Sequence, residues 1–111
     1  MNRAGEMEFK AGELNFLASQ NYEKAVENAH QAAKEYRKIK EKEKERQALL
    51  IAEQARMRIN ESLEKAAMAY ENAAEAYGPD NGGDNVKAGV SAEKASACRE
   101  LLARRKSSNM P

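Results

Sequence analysis

Two apolar stripes run through the middle of this chain, and they are out of phase. Tyr22, Ala25, Ala29, Ala32, Tyr36 and Ile39 recur at spacings of three and four, with Val26 and Ala33 beside them. That spacing is one face of a helix of 3.6 residues per turn. Leu49, Ala52, Ile59, Leu63, Ala66, Tyr70, Ala73 and Tyr77 make a second such face, with Arg56 at its one polar position. Carried forward, the first stripe lands on Glu43, Arg46, Leu50 and Glu53 and misses the second. Two helices satisfy both stripes. The break is expected near Lys40 to Arg46, inside the charged run 37–46 where Ile39 is the one apolar residue.

A single helix from Tyr22 to Tyr77 is the competing reading, because no Gly, Pro, Ser, Asp or Asn lies between His30 and Ile59 and these are the usual turn residues. It would be about 84 Å long at 1.5 Å per residue. It could bury its stripes only by self-association as a coiled coil, with Arg56 fixing the register. The phase mismatch favours the break.

On the N-terminal side, Ala4, Met7, Ala11, Leu14 and Leu17 or Ala18 share one helix face, and Phe9 and Phe16 widen it. Ser19-Gln20-Asn21 interrupts that face, and Asn21 suits an N-cap because its side-chain oxygen can accept from free amides of the next turn. On the C-terminal side, Gly78-Pro79 is a strong helix stop. Asp80 to Asn85 reads as a loop. Ser91 reads as the N-cap of a short helix with Val90, Lys94, Ala97, Cys98, Leu101 and Leu102 along its edge. The expected fold is therefore all-α: an antiparallel three-helix bundle over residues 1–78, a flexible linker at 79–90, a short amphipathic helix at 91–106 and a tail at 107–111.

The charge pattern narrows the function classes. Nineteen basic and eighteen acidic residues leave a net charge of +1, which gives little long-range attraction to nucleic acid or anionic lipid. Six positive and three negative residues share the run at 37–46, where interleaved charges cancel locally. Arg99, Arg104, Arg105 and Lys106 near the end of the last helix complement its dipole. No stretch has the roughly 18 consecutive apolar residues of a membrane span, and the N-terminus lacks the apolar core of a secretory signal. Cys98 is the single cysteine, so no internal disulfide or cysteine zinc site is expected. A cytoplasmic setting fits these features.

No residue set points to catalysis. His30 is the lone histidine, with no second ligand nearby in sequence. The sixteen Glu fall mostly on expected helix exteriors, where pairs three or four apart stabilise by roughly 0.3 kcal/mol each. A calcium loop starting at Asp80 would need Gly at its sixth position and Glu at its twelfth, but Asn85 and Ser91 stand there. Asn60-Glu61-Ser62 spells a glycosylation site inside an expected helix. No catalytic residue, metal ligand or cofactor is assigned.

Asn21-Tyr22-Glu23-Lys24-Ala25 followed by Ala29 and Ala32 resembles the second helix of a tetratricopeptide-type hairpin, and Lys40 to Arg46 with Ala48-Leu49-Leu50 is similar to that family's charged connector and next helix. The same residues are similar to the microtubule-interacting and trafficking domain, a three-helix bundle. Arg58 to Leu63 departs from that family's Arg-Ala-Glu signature. The resemblance thus implies an architecture and no particular ligand.

These observations lead to one expectation. The protein is a non-enzymatic adaptor that binds a helix or short segment of another protein in an interhelical groove lined by Leu14, Phe16, Leu17, Leu50, Ile59 and Leu63. No small-molecule substrate is expected, the balanced charge argues against nucleic acid, and a homo-oligomer is compatible with the pattern. The alternative is a self-associating coiled-coil protein built on a helix spanning 22–77.

Overall fold

A computed structural model describes residues 2–78 and 84–108. Three helices account for nearly all of them: α1 (Arg3–Lys38), α2 (Lys42–Ala76) and α3 (Asn85–Ser108). The expected break in the charged run is present, and it is tight. The Glu41 amide donates to the Tyr36 carbonyl and the Lys40 amide to the Arg37 carbonyl. This pair of bonds is a helix-ending motif that places its C′ residue in the left-handed region. Lys40 holds that position with φ of 60°. A single left-handed non-glycine residue costs roughly 1 kcal/mol, so the turn forms without glycine, proline or asparagine. Residues 22–77 are therefore not one helix.

Two other expected boundaries are absent. α1 runs unbroken through Ser19-Gln20-Asn21, and Ser19 Oγ donates to the Phe16 carbonyl at 2.6 Å inside the helix, where it ends nothing. α3 begins at Asn85, so residues 85–90 are helical and not linker. Ser91 is not its cap: its hydroxyl donates to the Lys87 carbonyl at 2.8 Å, and the residue is fully buried. Asp84 takes the capping role by accepting from the Lys87 amide at 3.0 Å. The chain thus has one long helix where two were expected, and a C-terminal helix of 24 residues. The expected loop residues 79–83 and tail residues 109–111 lie outside the described residues, and the helix includes 107 and 108.

The helices run up, down and up. α2 is central: α1 and α3 each pack along it and barely approach each other. The register of α1 on α2 is set by small residues at intervals of seven. Gly5 and Gly12 lie against the rings of Tyr77 and Tyr70, where an added Cβ would come within 2.7–2.9 Å of ring carbons. Ser19 is buried one heptad later and Ala33 two heptads beyond that. A seven-residue repeat on a helix of 3.6 residues per turn implies gentle left-handed supercoiling. Asn2 fixes the near end, accepting from the Gly5 amide at 3.0 Å and donating to the Ala76 carbonyl. Arg37 and Glu45, 2.8 Å apart, close the far end.

α3 packs on a different side of α2 with Ser91, Ala95, Cys98 and Leu102. One cluster joins Ala95 and Cys98 to Ala66, Ala67 and Tyr70, with Phe9 and Phe16 against it. A second joins Leu102 to Ile59 and Leu63, with Val26 against it. Arg99 clamps the pair from outside, donating to Glu64 at 2.7 Å and to both oxygens of Glu71 at 2.8 and 3.1 Å. Arg105 reaches Asn60 at 2.8 Å.

The result is elongated and flat, 62 × 28 × 15 Å, with a radius of gyration of 18.2 Å. A compact chain of this length would have about 13 Å. Among the described residues no helix is long and apolar enough to cross a membrane.

Candidate functional site

Because α1 and α3 flank α2 without closing on one another, a groove opens between them. Its floor is aromatic. Phe9 from α1 meets Tyr70 from α2 edge-on, with ring centroids 5.4 Å apart and planes at 68°. Toward the ends of α1 and α2 that Asn2 ties together, the groove is lined by Phe9, Tyr77 and Val90. Further along α1 it is lined by Phe16, Leu17, Tyr70, Ala97 and Leu101. The two parts hold about 380 and 400 Å³. Glu13 borders both.

The rims carry charge. Glu6, Lys10 and Glu13 stand on the α1 side, and Lys87 and Lys94 on the α3 side. Lys94 Nζ sits over the rings of Phe9 and Tyr70 at 5.8 and 5.9 Å, and Lys87 Nζ over Tyr77 at 5.5 Å. The rings of Phe9, Tyr70 and Tyr77 therefore each meet a cation, an attraction of roughly 0.5–1 kcal/mol where exposed. Among the described residues, neither Glu6 nor Glu13 has a cationic nitrogen within 4 Å. Burial, and then the nearby Glu13 carboxylate, push the Tyr70 hydroxyl up to about 12. Burial also raises the Cys98 thiol, with Lys94 and Arg99 pulling the other way.

Only part of the expected site comes together. Phe16 and Leu17 line the groove. Leu14 is 59% exposed on α1 and lines neither part of it. Leu50 is 58% exposed on α2 near the Lys40 turn, in the half of the molecule beyond the groove. Ile59 and Leu63 are each 2% exposed and belong to the closed core with Leu102. The six residues therefore do not share one surface. The α3 wall, Val90 and Leu101, was missing from the expected lining. Both residues lay on the expected edge of the last helix, but that helix had not been placed beside Phe9 and Phe16.

His30 stands with its Nε2 3.4 Å from Nη2 of Arg56. A guanidinium has no acceptor, so the imidazole nitrogen facing it accepts. This pairing gives the single polar position in the α2 stripe a partner on α1. Among the described residues no group of three or more His, Cys, Asp or Glu could hold a metal ion. No protein family, curated protein or solved structure matches this chain.

Proposed function

We propose that the protein is a non-enzymatic interaction module that receives an amphipathic helix from another protein in the groove between α1 and α3. The observation that carries this reading is the groove itself. It is an open trough between two parallel helices, lined by Phe9, Phe16, Leu17, Tyr70 and Leu101. A helix laid in it, antiparallel to both walls, would complete a four-helix arrangement with α2 opposite. Helix-in-groove recognition uses apolar anchors at i, i+3, i+4 and i+7. The lining from Glu6 to Gln20 has room for a partner helix of about four turns at 5.4 Å each. Each anchored Leu or Phe adds about 1.5–3 kcal/mol before ordering is subtracted.

Selection of helical peptides from a displayed library against the folded protein tests this. Recovered peptides should carry that spacing of anchors. They should lose binding when Leu17 and Leu101 are both changed to Glu, and keep it when Ile51 on α2 is changed to Glu. Peptides indifferent to the Leu17/Leu101 change would overturn the reading.

A second reading, self-association, draws support from a different surface. Leu50, Ile51 and Met57 are all more than half exposed in the two-helix part of the molecule. Sedimentation of the protein with Ile51→Glu and Met57→Glu together would show whether that surface holds copies together.

A further inference from the structure

The two rims of the groove differ in charge, and that difference restricts what can lie between them. On the α1 rim Glu6 and Glu13 stand one heptad apart, with Lys10 between them. On the α3 rim Lys87 and Lys94 stand one heptad apart with Val90 between them, Lys87 beside one part of the groove and Lys94 beside the other. A spacing of seven returns a side chain to the same flank of a helix two turns on. The α1 rim therefore presents two carboxylates a heptad apart and stays net negative with Lys10 between them, while the α3 rim presents two ammonium groups at the same interval. The α3 pair lies over the rings of Tyr77, Phe9 and Tyr70 at 5.5–5.9 Å. The α1 pair has no cation within 4 Å among the described residues.

Resting on the groove reading above, we infer that the helix it receives is charge-split. Its apolar stripe is flanked on one side by acidic residues one heptad apart, which face Lys87 and Lys94. On the other side it carries basic residues at the same interval, which face Glu6 and Glu13. A helix with acidic residues on both flanks sets two carboxylates against Glu6 and Glu13. One with basic residues on both flanks sets two cations against Lys87 and Lys94. Rim charges act through complementarity and the exclusion of like-charge partners more than through raw affinity. Reversing the helix end for end while keeping its stripe down exchanges its flanks, so a split helix can satisfy both rims in one of its two directions.

Three synthetic 18-residue peptides test this. They share one apolar stripe and differ only in flanks: Glu on one side and Lys on the other, Lys on both, or Glu on both. Binding to the full chain is read by fluorescence anisotropy at low salt. The split peptide should bind about tenfold more tightly than either uniform one, the combined effect expected of four rim pairs. In the K87E/K94E variant both rims carry net negative charge, Lys10 being the one cation left among these positions, and the Lys/Lys peptide should bind most tightly instead. Both positions are exposed, so the variant should keep the helical circular dichroism of the parent.

Equal binding of all three peptides to the parent would overturn the charge inference and leave the groove reading standing. No binding by any of them would overturn both. Light scattering at the same concentrations reads the remaining occupant: a dimer abolished by Phe16→Asp would show that a second copy fills the groove, and would overturn the inference of a foreign helix.

Discussion

The two ends of this molecule are built from different materials. In the half near Asn2, three helices meet, and the buried set includes Ile59, Leu63, Tyr70, Tyr77, Cys98 and Leu102. In the half near the Lys40 turn only α1 and α2 are present, and the buried hydrophobic residues are Ala29, Ala33, Ala48, Ala52 and Ala55. Every one of them is alanine. Close approach of two helices requires small side chains, but a methyl group buries little area, at about 0.8 kcal/mol per buried carbon. The alanine half is held mainly by being continuous with helices anchored elsewhere. The three-helix half has larger side chains because α3 supplies a third wall, and there glycine on α1 makes room for tyrosine on α2.

The sharpest way to break this comparison is to hollow out the three-helix half. Leu63→Ala removes a large side chain packed with Ile59 and Leu102 and should cost about 3 kcal/mol. Leu50→Ala, on the exposed surface of the other half, should stay within about 0.5 kcal/mol. Urea denaturation of the two variants measures both. Hydrogen exchange adds a second reading. Amides of residues 29–36 and 48–55 should exchange through local opening, at rates nearly unchanged by Leu63→Ala, while those of 59–70 should speed up with the loss of global stability. A uniform acceleration along both helices would show one cooperative unit and remove the distinction.

High pH probes the same half through Tyr70. Its hydroxyl is raised from 10.0 to about 12 by burial and then by Glu13. A group that holds its proton more tightly when folded stabilises the fold fully below its unfolded value. That stabilisation is lost as pH rises through the folded value. The window is therefore pH 10 to 12, and two units correspond to on the order of 2–3 kcal/mol. Tyr70→Phe has no proton to lose. It should be near neutral in stability at pH 7 and move the alkaline unfolding midpoint upward. An unchanged midpoint would remove Tyr70 as the base-labile group.

How much of this was legible in the sequence depends on which side chains carried the information. The Lys40 turn was, because two long stripes cannot share a helix when their phases disagree. The buried face of α1 was not. Ala4, Met7, Ala11 and Leu14 looked like its core face, yet α2 packs on Gly5, Gly12 and Ser19. Met7 and Leu14 are more than half exposed. A hydrophobicity pattern cannot register a contact whose requirement is the absence of a side chain, although the glycines seven apart were a visible trace of it. Serine misled in two places for one reason. At Ser19 and Ser91 the hydroxyl bonds a carbonyl one turn back inside a helix instead of capping a new one, and composition does not separate these uses. Phe16 and Leu17 were legible as groove residues because helix one had more apolar surface than one neighbour could cover. Ile59 and Leu63 were not separable from them, because whether a stripe is core or surface depends on which helix lies against it.

Glycine substitutions sharpen the contrast at smaller magnitude. Gly12→Ala places a Cβ 2.7 Å from the Tyr70 ring. Replacing a helix-interior Gly with Ala gains about 1 kcal/mol in propensity, and overpacking costs about 1–3 kcal/mol. Tyr70 is 3% exposed and meets the added methyl with ring carbons as near the backbone as Cγ, so the clash should win by roughly 1 kcal/mol. Gly89 in α3 has nothing within 4 Å of a built Cβ, and Gly89→Ala should gain about 0.5–1 kcal/mol. Opposite signs in thermal melts for these two changes would locate the tight seam on the α1–α2 side. A gain at both positions would mean that Gly12 tolerates a methyl and that the seam is not close-packed.

The smallest effect belongs to the clamp outside the core. The Arg99 hydrogen bonds hold the Glu71 carboxyl below its ordinary range. A carboxyl lowered in the folded state contributes stability above its unfolded pKa, and that contribution is lost as pH falls through the folded value. Its window therefore begins near the ordinary 4.5 and extends below it. Both side chains are 40% or more exposed, so solvent screening limits the contribution to under about 1 kcal/mol. Arg99→Gln should lower stability slightly at pH 7 and flatten its decline between pH 5 and 3. The shape of the molecule makes that small term informative, because α3 is present in one half and absent from the other. If Arg99→Gln raises hydrogen exchange in α3 while residues 29–36 are untouched, α3 opens as a unit and the groove can widen by moving one wall. If α3 stays as protected as α2, Cys98 and Leu102 hold it without the clamp, and the groove has a fixed width.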